Sequence, residues 1–217
     1  MEPKSDRLRT PRAAGLAGIV FAVLLGAAIV LVRLGLPPGG VDTADGSNPH
    51  RTRAVHAALE LVPFAGIFFL WFMGALRARV GDAEDRFVAT VFMGSGLVFV
   101  ASLFGAAAAA GSALSHPQTG EFGRDFALTL LTTYAMRMAA VFIFTSSTIG
   151  HRLGVFPRWL GVLGYLSGLV LLFAGPAIPW SELIFPLWSL VVSVHILRAG
   201  LHARPRAATE TGVSGTA

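Results

Sequence analysis

The chain has 217 residues, 54% of them hydrophobic and only 13% charged, against about 25% charged in a soluble domain. Its mean hydropathy is +0.67. So few charges cannot coat a water-facing surface, which excludes an ordinary soluble domain and points to the bilayer as solvent. Without cysteine, disulfides, cysteine-ligated zinc and iron–sulfur clusters are excluded. The formal charge of +5 lies at the flanks of apolar runs, not on one basic face. That sets nucleic acid aside and suggests attraction to anionic lipid headgroups at the cytoplasmic face.

In chain order, residues 1–12 form a basic tail (Lys4, Arg7, Arg9, Arg12). The first apolar run, Ala13–Leu34, is longer than a signal-peptide core and lacks a small-residue cleavage site, so it reads as an uncleaved first helix. Five more runs follow: Val55–Leu76, Phe87–Ala110, Phe126–Gly150, Trp159–Ile178 and Leu183–Ala199. About 20 residues at about 1.5 Å each cross the hydrocarbon, and all six qualify, the last marginally. The predicted fold is all-α: a polytopic membrane helix bundle, residues 13–200, with six transmembrane helices. Residues 201–217 lack apolar periodicity and read as a disordered tail. The stretches "GLPPGGVDTADGSNPHRTR" and "SHPQTGEFGRD" read as loops.

Orientation comes from the basic residues. Twelve of the 17 Lys and Arg fall on one side of the six runs and three (Arg51, Arg53, Arg124) on the other, which places both termini in the cytoplasm of a bacterial inner (plasma) membrane protein. Trp71, Trp159 and Trp180 stand near the ends of runs, where indoles favour the interface. Arg33 is near enough to the end of its run to snorkel. Pro63 and Pro186 fall inside runs and should kink them. Gly164 and Gly168 form a GxxxG pattern, a flat strip for close packing within the bundle or for a homo-oligomer or membrane protein partner.

Arg137 lies in the middle of "TTYAMRMAAVFIF", and a cation there costs about 2.5–3.5 kcal/mol on insertion scales. Glu60 is the one acidic residue inside a predicted run. Depths of about 8 Å for Glu60 and about 16 Å for Arg137 follow from the helical rise, within the reach of an arginine. The expectation is that they pair across the bundle interior. His56 shares the helix face of Glu60, and Thr133 and Tyr134 that of Arg137. These five, Glu60, Arg137, His56, Tyr134 and Thr133, form the candidate ligand-binding cluster.

Other chemistries are weaker. His56 and Glu60 on one face are two potential ligands where a metal needs three or four, and His56 and His195 lie at opposite ends of their runs, which excludes a shared haem. No cofactor is expected. His195, Arg198 and His202 read as a headgroup-facing stripe. Ser146 and Ser147 lack nucleophile-elbow context and should bond the preceding turn's carbonyls.

The segment "HRLGVFPRWLGVLGYLSG" and the stretch "LVPFAGIFFLWFMGALRARVGDAEDRFVATVFMGSG" resemble a family of uncharacterised multi-pass membrane proteins of actinobacterial type, marked by Pro-Arg-Trp-Leu-Gly. The resemblance implies six helices and carries no activity or catalytic residue. Three functional classes stay open. The first is a small-molecule or ion-handling protein using the polar cluster. The second is a non-catalytic assembly or regulatory subunit whose Arg–Glu pair is structural. The third is a membrane enzyme, for which no nucleophile or metal set is visible.

Overall fold

Each apolar run becomes a helix; the first four overshoot their hydrophobic limits, whereas the fifth stops at Ala174, short of the predicted Ile178. A computed structural model describes residues 10–35, 49–80, 86–115, 120–154, 156–174 and 178–202. The basic tail and the C-terminal tail fall largely outside these residues, as do most of the first predicted loop and part of the second. Among the described residues there are six helical rods: α1 Thr10–Gly35, α2 Pro49–Val80 and α3 Arg86–Ser115, α4 Gly120–Arg152, α5 Arg158–Ala174 and α6 Ile184–His202. A 3₁₀ turn, Ser181–Leu183, leads into α6. Five rods are long and apolar enough to cross a membrane; α5 is shorter.

Two predicted loops give up residues to helices. Pro49 opens α2, where its missing N–H is one the first turn would leave free anyway. "GEFGRD" becomes the start of α4, with Glu121 in the first turn facing the positive end of the helix dipole. Phe122 stacks on Phe126 one turn later, ring centroids 6.0 Å apart. Pro186 proves to lie in the first turn of α6, where it breaks no helical hydrogen bond. Pro63 sits within the continuous α2.

The rods form a closed ring in chain order, each packed on the next and α6 returning to α1. Neighbours in the ring are antiparallel, so α2 and α4 run the same way on either side of α3. One end of the bundle carries exposed Arg77, Arg86, Arg152, Arg158 and Arg198 and is called the basic end. The other, where Gly35, Pro49 and Ser181 lie, is the Glu182 end.

Five helices each send one phenylalanine to the axis: Phe21, Phe69, Phe99, Phe142 and Phe185, all fully buried. Phe69 touches the other four, with ring centroids 4.9 Å from Phe21, 5.1 Å from Phe99, 5.0 Å from Phe142 and 5.9 Å from Phe185. Tilted and edge-on contacts of this kind suit the ring quadrupole. In lipid, apolar residues gain little by leaving the solvent, so cohesion comes from close packing. The knot supplies that packing and fills the centre of the bundle with carbon.

Candidate functional site

The predicted five-residue cluster does not assemble. Glu60, His56, Arg137 and Tyr134 are exposed on the outside of the ring, and Thr133 is half-buried. The structure records no ion pair between Glu60 and Arg137. Depth is not the obstacle. The two helices meet at Phe69 and Phe142, and counted from there Arg137 lies four residues deeper than Glu60. Counted through α3, where Leu59 meets Gly111 and Phe142 meets Gly96, the offset is nine. Both counts together give about 6–13 Å, bracketing the 8 Å read from the sequence.

Azimuth is the obstacle. At about 100° per residue, Glu60 stands nine residues, about 180°, from the inward Phe69. Arg137 stands five residues, about 140°, from the inward Phe142. Both charges therefore turn their backs on the core, with α3 between their helices.

The ion pair that does form joins Arg33 of α1 to Glu182, just ahead of α6. Arg33 does not merely snorkel: its Nη2 donates to Glu182 Oε1. The Arg33 side chain is 19% exposed and that of Glu182 only 2%. Glu182 Oε2 has no hydrogen-bond partner among the described residues. The turn before it is strained, since Trp180 adopts φ 66°, a left-handed conformation costly for a residue with a β-carbon. That turn swings Glu182 inward. The signal was present in the sequence: Arg33 ends one run, Glu182 precedes another, and six alternating runs bring both to the same end.

The GxxxG glycines are used inside the ring. A Cβ on Gly164 would collide with Ser147 Oγ of α4 and lie 3.1 Å from Trp188 Nε1 of α6, and one on Gly168 would press on the Phe144 ring at 2.8 Å. The strip thus lets α5 approach α4 and is not free for a partner. Ser146 bonds the Phe142 carbonyl at 2.6 Å, as the sequence suggests. Ser147 does not follow it, because its hydroxyl is aimed across at Gly164. Ser147 Oγ, Trp188 Nε1 and Ser189 Oγ are buried without partners among the described residues.

Toward the Glu182 end, α1 to α4 line a crevice with a cavity volume of about 40 Å³ that opens to the outside. Its walls are apolar, with Leu25, Ile29, Val62, Leu103 and Leu131 among them. A π-helical turn at Leu130–Ala135, a feature common near functional sites, brings Leu131 to this wall. No group of three or more His, Asp or Glu that could hold a metal lies among the described residues. His195 is half-buried and meets the Trp159 ring edge-on at 6.3 Å.

No family model, curated protein or solved structure matches the chain.

Proposed function

We propose that the chain is a six-span protein of a bacterial plasma membrane, with both ends cytoplasmic, that serves as a non-catalytic assembly subunit. α5, with 17 residues from Arg158 to Ala174, makes the sixth crossing by leaning on α4 and α6. The observation that carries the functional reading is the outward exposure of Arg137 in the middle of an apolar helix. A cation there faces acyl chains in a lone bundle, at a cost of about 2.5–3.5 kcal/mol on insertion scales. A carboxylate from another chain removes that exposure. Glu60, also outward, offers a partner a second contact of opposite sign on another helix. The aromatic plug on the axis argues against an ion path through the centre. The Arg33–Glu182 pair takes the structural role of fixing α1 against α6.

The expected result is that the protein runs as an assembly larger than one chain in native membranes, and that Arg137→Gln reduces it to a single chain without lowering its melting temperature. Native electrophoresis and thermal unfolding of the same preparations check this. A wild-type protein that runs as a single chain contradicts the reading. The apolar crevice supports a second reading, in which the protein binds a small apolar or amphiphilic molecule between α1 and α4. Such a ligand would need no charged contact.

A further inference from the structure

We infer that the turn between α4 and α5 binds the phosphate of an anionic membrane phospholipid, whose acyl chain lies along the outer cleft between these two helices. The inference is independent of the assembly reading.

Charge singles out this turn. At the basic end, the stretch 77–86 that joins α2 to α3 carries Arg77, Arg79 and Arg86 together with Asp82, Glu84 and Asp85, so it is neutral on its own. The turn from α4 to α5 carries Arg152 and Arg158 and no carboxylate. Between Asp125 and Glu210 the single acidic residue is Glu182, which pairs with Arg33 at the other end of the bundle. Arg152 and Arg158 are both exposed, and neither forms an ion pair among the described residues. The anion that balances them comes from outside the chain.

Local geometry holds the two arginines on one cleft. Gly154 takes φ 66°; its N–H donates to the His151 carbonyl at 3.2 Å, and the Phe156 N–H donates to the Gly150 carbonyl at 2.9 Å. The Phe156 ring tucks against Gly150, where any side chain would collide with it. These ties fix the end of α4 against the start of α5. Further in, the Thr148 and Tyr165 hydroxyls share a hydrogen bond of 2.9 Å, which marks the faces that the two helices turn toward each other on their outer side. Arg152 is four residues from Thr148 and Arg158 is seven from Tyr165, one and two helical turns, so each shares the face of that bonded residue. The guanidinium groups therefore flank the cleft at its basic end. Their planar forks suit a phosphate, which accepts paired N–H bonds from each.

The face of α5 beyond Arg158 decides between a lipid and free phosphate. Val162, Tyr165 and Leu169 continue its line at helical spacing and are 57%, 41% and 53% exposed. A cation at the interface followed by an exposed apolar strip matches the headgroup and acyl chain of one amphiphile. Inorganic phosphate would use only the first.

The test is made on the whole chain in detergent micelles doped with phosphatidylglycerol or with phosphatidylcholine. Binding is read from the melting temperature, which rises when a ligand binds the folded state. Phosphatidylglycerol is expected to raise it further than phosphatidylcholine, and inorganic phosphate at matched ionic strength to leave that rise intact. One arginine near an anionic headgroup is worth about fivefold in affinity, so Arg152→Gln/Arg158→Gln should bind about 25-fold more weakly. Arg77→Gln/Arg86→Gln removes the same charge from the same end and should bind as the unaltered chain does.

Equal stabilisation by the two lipids overturns the site. So does an equal loss in both double variants, which means general attraction to the whole basic end, and so does abolition of the rise by inorganic phosphate, which makes free phosphate the ligand. Melting in phosphatidylcholine alone reads the fold of each variant. If Arg152→Gln/Arg158→Gln does not fold, the single variants carry the test: each should bind about fivefold more weakly, and unchanged affinity in both overturns the inference.

Discussion

Glu182→Leu is expected to destabilise the bundle by about 3 kcal/mol, the lower part of the 3–5 kcal/mol cost of removing one partner of a buried ion pair. Glu182 is 2% exposed and Arg33 19%, so the substitution strands a cation that can turn only partly to water. Arg33→Leu should cost more, because the carboxylate it leaves behind has no such escape. The double variant Arg33→Leu/Glu182→Leu should recover most of the loss, since apolar residues can replace a buried pair at little cost. Thermal unfolding of the four proteins in one detergent reads the coupling. Additive losses would mean that the two residues do not depend on each other, contrary to the pair seen here.

The second large effect lies at the axis. Phe69 touches four other phenylalanines, so Phe69→Ala removes the hub of the knot and leaves a cavity. In water-soluble cores such a change costs about 3–5 kcal/mol, part of it transfer and part cavity. In lipid the transfer part shrinks, because the separated helix also lies in an apolar solvent, and about 3 kcal/mol is expected. Phe173→Ala, at a site 75% exposed, should change the melting temperature little. Equal losses at both positions would show that the five rings do not form a stabilising core.

The contrast between the two arginines shows what a sequence of this kind can disclose. The apolar helices were legible, because their length and hydropathy follow directly from the thickness of hydrocarbon. The axial offset between Glu60 and Arg137 read from the sequence agrees with the one in the structure. What the sequence hid was azimuth. A soluble helix advertises its buried face by alternating polar and apolar residues, but α2 and α4 are apolar nearly all round in their middle turns. Nothing in those turns says that Phe69 and Phe142 look inward and that the two charges look outward. Arg33 and Glu182 were readable from topology, but Glu182 sits in a turn just outside its apolar run, and a search confined to the runs passes over it. The glycines of α5 were read for their smallness, which is right, while the neighbour they admit, Ser147 of α4, emerges only once the ring order is known.

The same lack of amphipathic signal leaves the side of the bundle on which a mid-helix charge stands unreadable from the sequence. A polar cluster inside the bundle favours ligand or proton handling, whereas charges on the outside favour association. The outward direction of Arg137 is what supports the second.

That direction can be measured without touching either charge. Phe64 is one turn from Glu60 on the same face and Tyr134 is nearly one turn from Arg137; they are 58% and 55% exposed. In the cysteine-free chain, the double variant Phe64→Cys/Tyr134→Cys is treated in membranes with a short bis-maleimide. The account predicts no internally bridged monomer, because the two faces point away from each other within one bundle. An internally bridged monomer would place Glu60 and Arg137 on a common interior surface and contradict it.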